Sequence, residues 1–476
     1  MKYLKILVKI LVALLIICAV AVGIIIKLDY NTTSYLKLKN QPTLQQNSYL
    51  IKNVNVIPMT SDTVFRNQMV LIENGIISKV AKHIKNKDIE IIDGQNQFLS
   101  PGLIDMHVHV WDKQELGLYL SNGVTAVRNL WGMPFHLRLK EQIENQVIIA
   151  PQFFTSSPKL TGKDDLGDDK VQVSSPEEAR ILVNSYHKRG YDFIKTYAGM
   201  TEAEYIAIVE EAEILNIDVV AHPSFNVAYT EQFHPQIATI EHTEDIVQQP
   251  LNYKLDTLKL QQIAREMAMR KQAFSPTLTG FYKIFEMLTD PNIENSTQTQ
   301  YINPLLFEMD SKNQIARWQN EKTQNPSTTK RIKDQHNFHL YAINQLHKQG
   351  VTIVSSTDAG IALTAPGFAI HQELNFYKQA DLSNFEVLKT STINPSKVHS
   401  QFNNMGRIVE GNLANFNLTI ENPLENLNTL STPVWVMVQG RKIDKNILQE
   451  FESKAKNRSN KLISALRWVE NLWVEK

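Results

Sequence analysis

Cysteine is almost absent from this sequence. Cys18 is the single cysteine in 476 residues, and it lies in an apolar run near the N-terminus. The rest of the chain therefore has no disulfide framework, no thiolate metal site and no cysteine nucleophile. Whatever chemistry the body of the chain performs has to use other side chains.

Net charge is also lacking. The chain carries 49 Lys and Arg residues against 49 Asp and Glu residues, so no overall charge favours a nucleic-acid or strongly acidic partner, and we expect no nucleic-acid binding. Apolar residues make up 43% of the chain and charged residues 21%, which is typical of a globular protein rather than a disordered one.

Charge is absent locally from Ile10 to Ile26, a run preceded by Lys2, Lys5 and Lys9 and followed by Lys27. Such a run lies at the lower edge of the roughly 17 to 25 residues that span a bilayer. The excess of lysines before it favours a cytoplasmic N-terminus, with the body periplasmic or extracellular. We expect a membrane anchor. The alternative is a signal peptide cleaved near Ala19 and Ala21, which would release a secreted protein.

Residues 31–47 are polar and predict a linker. Short alternating segments follow, and Asn74-Gly75 between two of them indicates a hairpin. Similar segments return near the C-terminus, so we expect one small β-sandwich built from both ends of the chain. The predicted division is an N-terminal segment (1–30), a linker (31–47), the N-terminal segment of the sandwich (48–100), a central domain (101–404), the C-terminal segment of the sandwich (405–446) and a C-terminal helix (447–476).

The central domain alternates strands with helices. Ser175-Pro176 with Glu178 begins one helix and Gly190 ends it, and Thr201 with Glu204 forms a second capping box. About eight strands fit between residues 103 and 358, which predicts a (β/α)8 TIM-type barrel in the α/β class.

Two segments complete the prediction for this region of the chain. Residues 281–335 contain no glycine and are too long for a simple loop. We expect them to form a mainly helical insertion over the barrel mouth, with a disordered insertion as the alternative. The C-terminal helix has an apolar stripe that we expect to pack on the barrel: Leu462, Leu466, Val469 and Trp473.

Polar side chains recur where the predicted strands end. His107 and His109 alternate along the first strand, so their rings point to the same face. Other groups follow at later strand ends, namely Lys195, His222, His242 and Asp358. Active sites of this architecture lie at that rim. Four imidazoles and a carboxylate suit Zn²⁺ or a similar cation.

Lys195 does not fit a metal site as an ammonium, which a cation would repel and which is costly to bury. It fits after reaction with CO₂, because a lysine carbamate is anionic and its two oxygens can bridge two ions. We therefore expect a CO₂-derived carbamate on Lys195.

These motifs resemble the amidohydrolase superfamily over most of residues 48–446. "PGLIDMHVH" is similar to its first-strand signature, and "FIKTYAG", "VVAHPSF", "TIEH" and "STDAG" are similar to the later ligand strands in order. Within the superfamily, the chain is most similar to the imidazolonepropionase-like and Xaa-Pro dipeptidase-like branch. The resemblance implies two divalent ions, Zn²⁺ first and Mn²⁺ as the alternative.

The resemblance also implies roles for the individual ligands. His107, His109 and Asp358 would hold one ion, and His222 and His242 the other, with carbamylated Lys195 between them. Asp358 would take a proton from the attacking hydroxide, which the metal makes available near neutral pH, and pass it to the leaving group.

Substrate contacts are predicted from position alone. Tyr197 lies two residues beyond Lys195 and faces the same way, so it is a candidate to bind a carbonyl or carboxylate, with plain packing as the alternative. His136 and Arg128 follow the second strand and are candidates to bind a carboxylate.

Three functions are compatible with these motifs. The first is a membrane-tethered, metal-dependent hydrolase of amide bonds in small molecules or short peptides, such as a dipeptidase or prolidase. The second acts on a cyclic amide or lactone. The third is a non-catalytic binding protein on the same fold, which filled ligand positions disfavour. A homo-oligomer is compatible with each.

Overall fold

The computed structural model describes residues 2–85 and 88–476. Its first helix, α1 (Lys2–Thr32), is exposed along its apolar length. Within the described residues, it is the one helix long and apolar enough to cross a membrane, with a mean hydropathy of 3.0 over its most apolar window and none of that window buried. A signal sequence has the same properties, so an anchor and a signal peptide both remain compatible with this helix.

The residues predicted as a linker pack against the body instead. Three short turns, Ser34–Leu36, Leu38–Asn40 and Pro42–Leu44, follow α1, and Leu36 and Leu44 are fully buried. The amide of Ile149 donates to the carbonyl of Leu36 at 2.7 Å. The few apolar side chains of this segment lie among many polar ones, so its overall composition predicts a linker although its leucines are buried.

Both ends of the chain contribute to one flanking sheet, as predicted. Its strands are β1 (Tyr49–Val56), β2 (Phe65–Glu73), β3 (Ile76–Ala81), β4 (Ile91–Asp93), β5 (Phe98–Pro101), β14 (Phe416–Thr419), β15 (Trp435–Val438) and β16 (Arg441–Asp444). The order is β16-β15-β14-β5-β1-β2-β3, with β4 also on β1. The pairing connects all eight strands into a single sheet, and a sandwich of two sheets is not confirmed.

The central domain is a nearly closed parallel barrel of the TIM type. Its strands are β6 (Leu103–Val108), β7 (Val124–Asn129), β8 (Gln152–Thr161), β10 (Phe193–Thr196), β11 (Asp218–Ala221), β12 (Ile237–Glu241) and β13 (Ala273–Ser275), and β9 (Lys170–Gln172) pairs with β8. Residues 351–359 occupy the eighth position through parallel bridges from Ile353 to Phe274 and from Ala359 to Val108.

Helices surround this barrel. They are α2 (Gln114–Ser121), α3 (Pro134–Glu144), α4 (Pro176–Arg189), α5 (Glu202–Ile214), α6 (Thr243–Gln248), α7 (Thr257–Met269), α8 (Leu278–Thr289), α9 (Pro304–Leu306), α10 (Lys312–Gln324), α11 (Thr328–Lys348), α12 (Ala369–Gln379), α13 (Asn384–Thr390) and α14 (Pro395–Val398). The predicted caps are present: Ser175 accepts from the amide of Glu178, and Thr201 forms its capping box with Glu204.

The predicted insertion, residues 281–335, is mainly helical. It contains most of α8, all of α9 and α10 and the start of α11, with a π-helical turn at Phe307–Ser311. Leu306 and Met309 reach the mouth of the barrel, where they line a cavity together with His109. The insertion therefore contributes to the wall above the candidate site.

The C-terminus differs from the prediction in two ways. It forms two helices rather than one, α15 (Lys445–Ala455) and α16 (Lys461–Glu475). Most of the predicted apolar stripe does not pack on the barrel: Leu462 is 64%, Val469 58% and Trp473 87% exposed, and Leu466 is half-buried. Ion pairs made by the opposite face of α16 hold the helix in this orientation.

Candidate metal centre

His107 and His109 lie at the C-terminal end of β6, and a ring nitrogen of each lies close to the same carboxylate oxygen. The Nε2 atom of His109 is 2.8 Å from Oδ1 of Asp358, and Nε2 of His107 is 3.3 Å from the same oxygen. One ligand atom from each of the three residues lies within 4.8 Å of the others. Both rings are almost fully buried. Two imidazoles and a carboxylate thus converge on one point, as the alternation in the sequence predicts.

The backbone around Asp358 is constrained to make this contact. Asp358 has a φ of 59°, a left-handed conformation that is uncommon for residues other than glycine. Gly360 has a φ of 91°, and a Cβ atom there would lie 1.9 Å from the carbonyl oxygen of His109. Strained backbone of this kind is concentrated at functional sites. The turn therefore holds the carboxylate against the two imidazoles.

Two further histidines complete a continuous group of rings. The ring centres of His242 and His107 are 4.9 Å apart, and those of His242 and His222 are 4.7 Å apart. His242 also has a left-handed φ, 69°, and its Nδ1 is hydrogen bonded to Oγ1 of Thr277 at 2.8 Å. The Nε2 of His222 lies 3.4 Å from Asp245. The four predicted histidines are thus brought together at one end of the barrel.

Lys195 reaches the same group from β10. Its side chain is fully buried, and its Nζ has no hydrogen-bond partner among the described residues. A buried ammonium without a partner is costly, and burial lowers the pKa of Lys195 to about 8. This orphaned nitrogen fits the predicted carbamate, which would replace an unpaired cation by an anion able to bind metal.

The protonation of the other groups also suits a cation. Burial lowers the pKa of His107 to about 3 and that of His242 to about 4, so both imidazoles are neutral near pH 7 and able to donate a lone pair. Burial alone would raise the pKa of Asp358, but His107 and His109 outweigh it and lower the pKa below its usual range. The donor set therefore fits a divalent metal such as zinc.

Arg128 lies elsewhere than expected. Its guanidinium is fully buried and hydrogen bonds to Glu241 at 3.0 Å, to Thr239 at 3.0 Å and to His399 at 2.8 Å. Because these contacts occupy the guanidinium inside the barrel, we do not retain Arg128 as a substrate contact. Its role is to hold Glu241.

Glu241 is the functional residue that the sequence analysis missed. Its Oε2 accepts a hydrogen bond from Nδ1 of His107 at 2.6 Å. This fixes the tautomer of His107 and turns its Nε2 towards the cluster, an arrangement typical of metal-ligating histidines. Strand alternation predicts opposite faces for Glu241 and His242, which hid Glu241. The left-handed φ of His242 breaks that alternation, and both side chains reach His107. The signal in the sequence is a carboxylate ending a buried strand, since such a group needs a partner.

His136 and Tyr197 are placed differently from each other. His136 is fully buried at the start of α3, where its Nε2 is 2.7 Å from the carbonyl of Val110 and its Nδ1 accepts from the amide of Met133. Both nitrogens are engaged, so we do not retain it as a substrate contact. Tyr197 stacks on His222, with ring centres 4.2 Å apart, and it remains a candidate beside the cluster.

Two cavities flank the cluster. One, of about 970 Å³, is lined by residues that include Tyr197, His222 and Lys170. The other, of about 300 Å³, lies beside His109 and is lined by three tryptophans and a lysine, among other residues: Trp111, Trp131, Trp468 and Lys159. Lys159 is ion paired with Asp169. These side chains were not predicted from the sequence, because they come from separate elements: Trp111 follows β6, Trp131 follows β7, Lys159 lies in β8 and Trp468 in α16.

The rim of the barrel thus holds a buried site of histidines and a carboxylate that suits a divalent metal. Two cavities adjoin this site. The amidohydrolase family model matches residues 314–443. The solved structures that share the fold include amidohydrolase superfamily members, with a Xaa-Pro dipeptidase among them. The resemblance inferred from the motifs is thereby confirmed.

Particular relatives define how far the similarity extends. A dihydroorotase from Carboxydothermus hydrogenoformans is 51% identical over 63 residues, which is 13% of this chain and 14% of that protein. The chain spans less than half the length of the first curated relatives that it matches, 42% for a second dihydroorotase, from Elusimicrobium minutum.

Solved structures cover much more of the chain. A bottromycin amidohydrolase has a TM-score of 0.74 at 20% identity, covering 89% of this chain and 92% of its own. A Xaa-Pro dipeptidase solved with methionine in its active site has a TM-score of 0.65 at 18% identity, covering 83% of this chain and all of its own. At these identities the likeness shows the fold alone.

Proposed function

We propose that this protein is a metal-dependent amidohydrolase that cleaves an amide bond, with dipeptides as its substrate class. The observation that carries the proposal is the convergence of His107, His109 and Asp358 on one point, with the orphaned Nζ of Lys195 buried nearby. A bound metal would explain both the convergence of the three ligands and the buried, unpartnered Nζ of Lys195, whereas packing alone explains neither.

The residues divide the chemistry between them under this proposal. One ion would be held by His107, His109 and Asp358, and a second by His222 and His242. Carbamylated Lys195 would be a ligand of both ions. A divalent ion held there would polarise the scissile carbonyl and acidify the attacking water. Asp358 is kept ionised by its histidine neighbours, so it is the group able to accept a proton from that water and deliver it to the leaving amine.

The cavity beside His109 suggests how a dipeptide would be oriented. Trp111 and Trp468 stack with nearly parallel rings, 5.9 Å apart, and provide an apolar surface for a substrate side chain. Lys159 lines the same cavity and is a candidate to bind the substrate carboxylate in place of its partner Asp169. The name of the dipeptidase with the same fold supports this substrate class.

A cyclic amide is the second candidate, because several curated relatives are named dihydroorotase and one dihydropyrimidinase. A substrate panel separates the two. Purified protein loaded with zinc or manganese should hydrolyse dipeptides with a large apolar residue, and chelation should remove that activity. It should act less well on the same dipeptides with an amidated C-terminus, since these substrates have no carboxylate for Lys159 to bind. Turnover of cyclic amides alone would contradict the dipeptidase assignment.

We also propose that α1 remains attached as a membrane anchor and that the body lies outside the cytoplasm. The support is the exposed apolar surface of α1 and the excess of lysines on its N-terminal side. Protease added to cells whose outer barrier has been opened should then digest the body, whereas full protection would contradict this topology.

A further inference from the structure

The C-terminal helix α16 is amphipathic, but it turns a largely polar face towards the body of the protein and an apolar face outward. Its inward face carries the polar residues Ser464, Arg467 and Asn471, which are buried, whereas Leu462 and Trp473 on its outward face are exposed. A helix on a globular protein normally turns its apolar stripe towards the core. The outward stripe is therefore a surface whose partner lies outside the body of the protein.

Ion pairs fix α16 in this orientation. Arg467 pairs with Asp29 of α1 at 2.8 Å, and its guanidinium lies 3.8 Å from the ring centre of Phe135. Near the end of the helix, Glu475 pairs with Arg189. Rotating α16 to bury its apolar stripe would break these contacts and leave buried charges without partners, which is strongly unfavourable.

The position of α16 indicates which partner covers the stripe. Its first turn, with Leu462 and Ile463, shares a cavity of about 350 Å³ with Ile25, Leu28 and Asp29 of α1. The uncharged run of α1 ends at Ile26, so an inserted α1 would bring these last turns to the level of the lipid headgroups. The start of α16 then lies at the same level.

We propose that the outward face of α16, formed by Leu462, Val469 and Trp473, lies on the surface of the lipid bilayer that α1 crosses. Helices with one apolar and one polar face bind in the plane of a membrane interface, where tryptophan is enriched. The proposal rests on the anchor proposed above. A second copy of the chain is the competing occupant, and the contact between α16 and α1 favours lipid.

This placement affects access to the candidate site. Trp468 lies on the inner side of α16 and lines the cavity beside His109, together with Trp111 and Trp131. A docked α16 therefore places one wall of that cavity next to the bilayer. Substrates bearing an apolar group would reach the site from the membrane surface.

The lone cysteine makes a direct test possible. Full-length protein is placed, one chain per disc, in nanodiscs of phosphatidylcholine with a minor share of phosphatidylglycerol. A spin label on natural Cys18 reports on α1. In a Cys18→Ser background, a label on Val469→Cys reports on α16, and one on Met269→Cys is the matched control, since Met269 is an apolar residue of α7 that is 76% exposed. Accessibility to oxygen and to a water-soluble nickel chelate is compared.

We expect the labels at 18 and 469 to favour oxygen and the label at 269 to favour the nickel chelate. A lipid-exposed label at 18 with a water-exposed label at 469 would overturn the docking of α16 and leave the anchor intact. Water exposure at 18 would overturn the anchor and the docking with it. A different outcome would assign the stripe to a second copy of the chain: the label at 469 is not exposed to lipid, and samples with two chains per disc show dipolar coupling between the labels at 469.

A second measurement needs no label. The chain has six tryptophans, and Trp473 is the one most exposed on α16, so brominated phosphatidylcholine should quench the wild type more than a Trp473→Phe variant. Equal quenching of the two proteins would contradict the docking.

Discussion

Replacing Lys195 with alanine should remove most of the hydrolytic activity and most of the bound metal. Alanine cannot form a carbamate, so the group that would join the two ion positions is lost. We expect kcat/KM to fall by about a hundredfold, the upper end of the range for damage to a metal site. Added bicarbonate should restore none of it. Steady-state kinetics and metal content by mass spectrometry would be measured on the same sample.

Lys283 offers a matched control. It is another buried lysine, 5% exposed, but it lies on α8 and pairs with Glu286 at 2.8 Å. Lys283→Ala should cost some stability and leave the metal content unchanged. A Lys195→Ala variant with nearly wild-type turnover and metal content would contradict the bridging role, because a ligand shared by both ions cannot be removed without affecting either quantity.

Replacing Glu241 with glutamine should damage both folding and metal binding. The variant leaves the fully buried guanidinium of Arg128 without a counter-charge, and breaking a buried pair in this way costs about 3 to 5 kcal/mol. It also weakens the hydrogen bond that orients His107. Loss of such a contact typically lowers metal affinity by about 10 to 100-fold. Denaturant unfolding and a competitive metal titration measure the two effects.

A second substitution separates these effects. In the double variant Arg128→Met with Glu241→Gln, the unpaired charge is gone, so some of the stability should return while the metal affinity stays low. Glu373→Gln is the control for the titration, since Glu373 is fully buried but binds the start of α8 through Thr279. Wild-type metal affinity in Glu241→Gln would show that the glutamate does not orient His107.

Features with a local cause were predictable from the sequence. The two histidines of β6 alternate with apolar residues, and a strand has to place them on one face. The caps of α4 and α5 also depend on residues three apart, and both formed as expected. The order of strand-end residues then placed His222, His242 and Asp358 at a common rim, because parallel strands end together.

Features that depend on distant partners were not predictable. The guanidinium of Arg128 is held by Glu241, which lies 113 positions further along the chain, and nothing near Arg128 in the sequence indicates this. The orientation of α16 depends on Arg467 and Asp29, which are 438 positions apart. The apolar stripe of α16 suggests packing on the barrel, and this prediction was wrong because these ion pairs hold the polar side inward.

Metal content is the measurement that tests the central claim most directly. Full-length protein, loaded with zinc or manganese in the presence of bicarbonate and washed free of loose ions, should retain about two ions per chain, in line with the two positions proposed around Lys195. His107→Ala with His109→Ala should retain clearly fewer. A wild-type protein that retains no metal under these conditions would contradict the hydrolase and favour a non-catalytic binding protein on the same barrel.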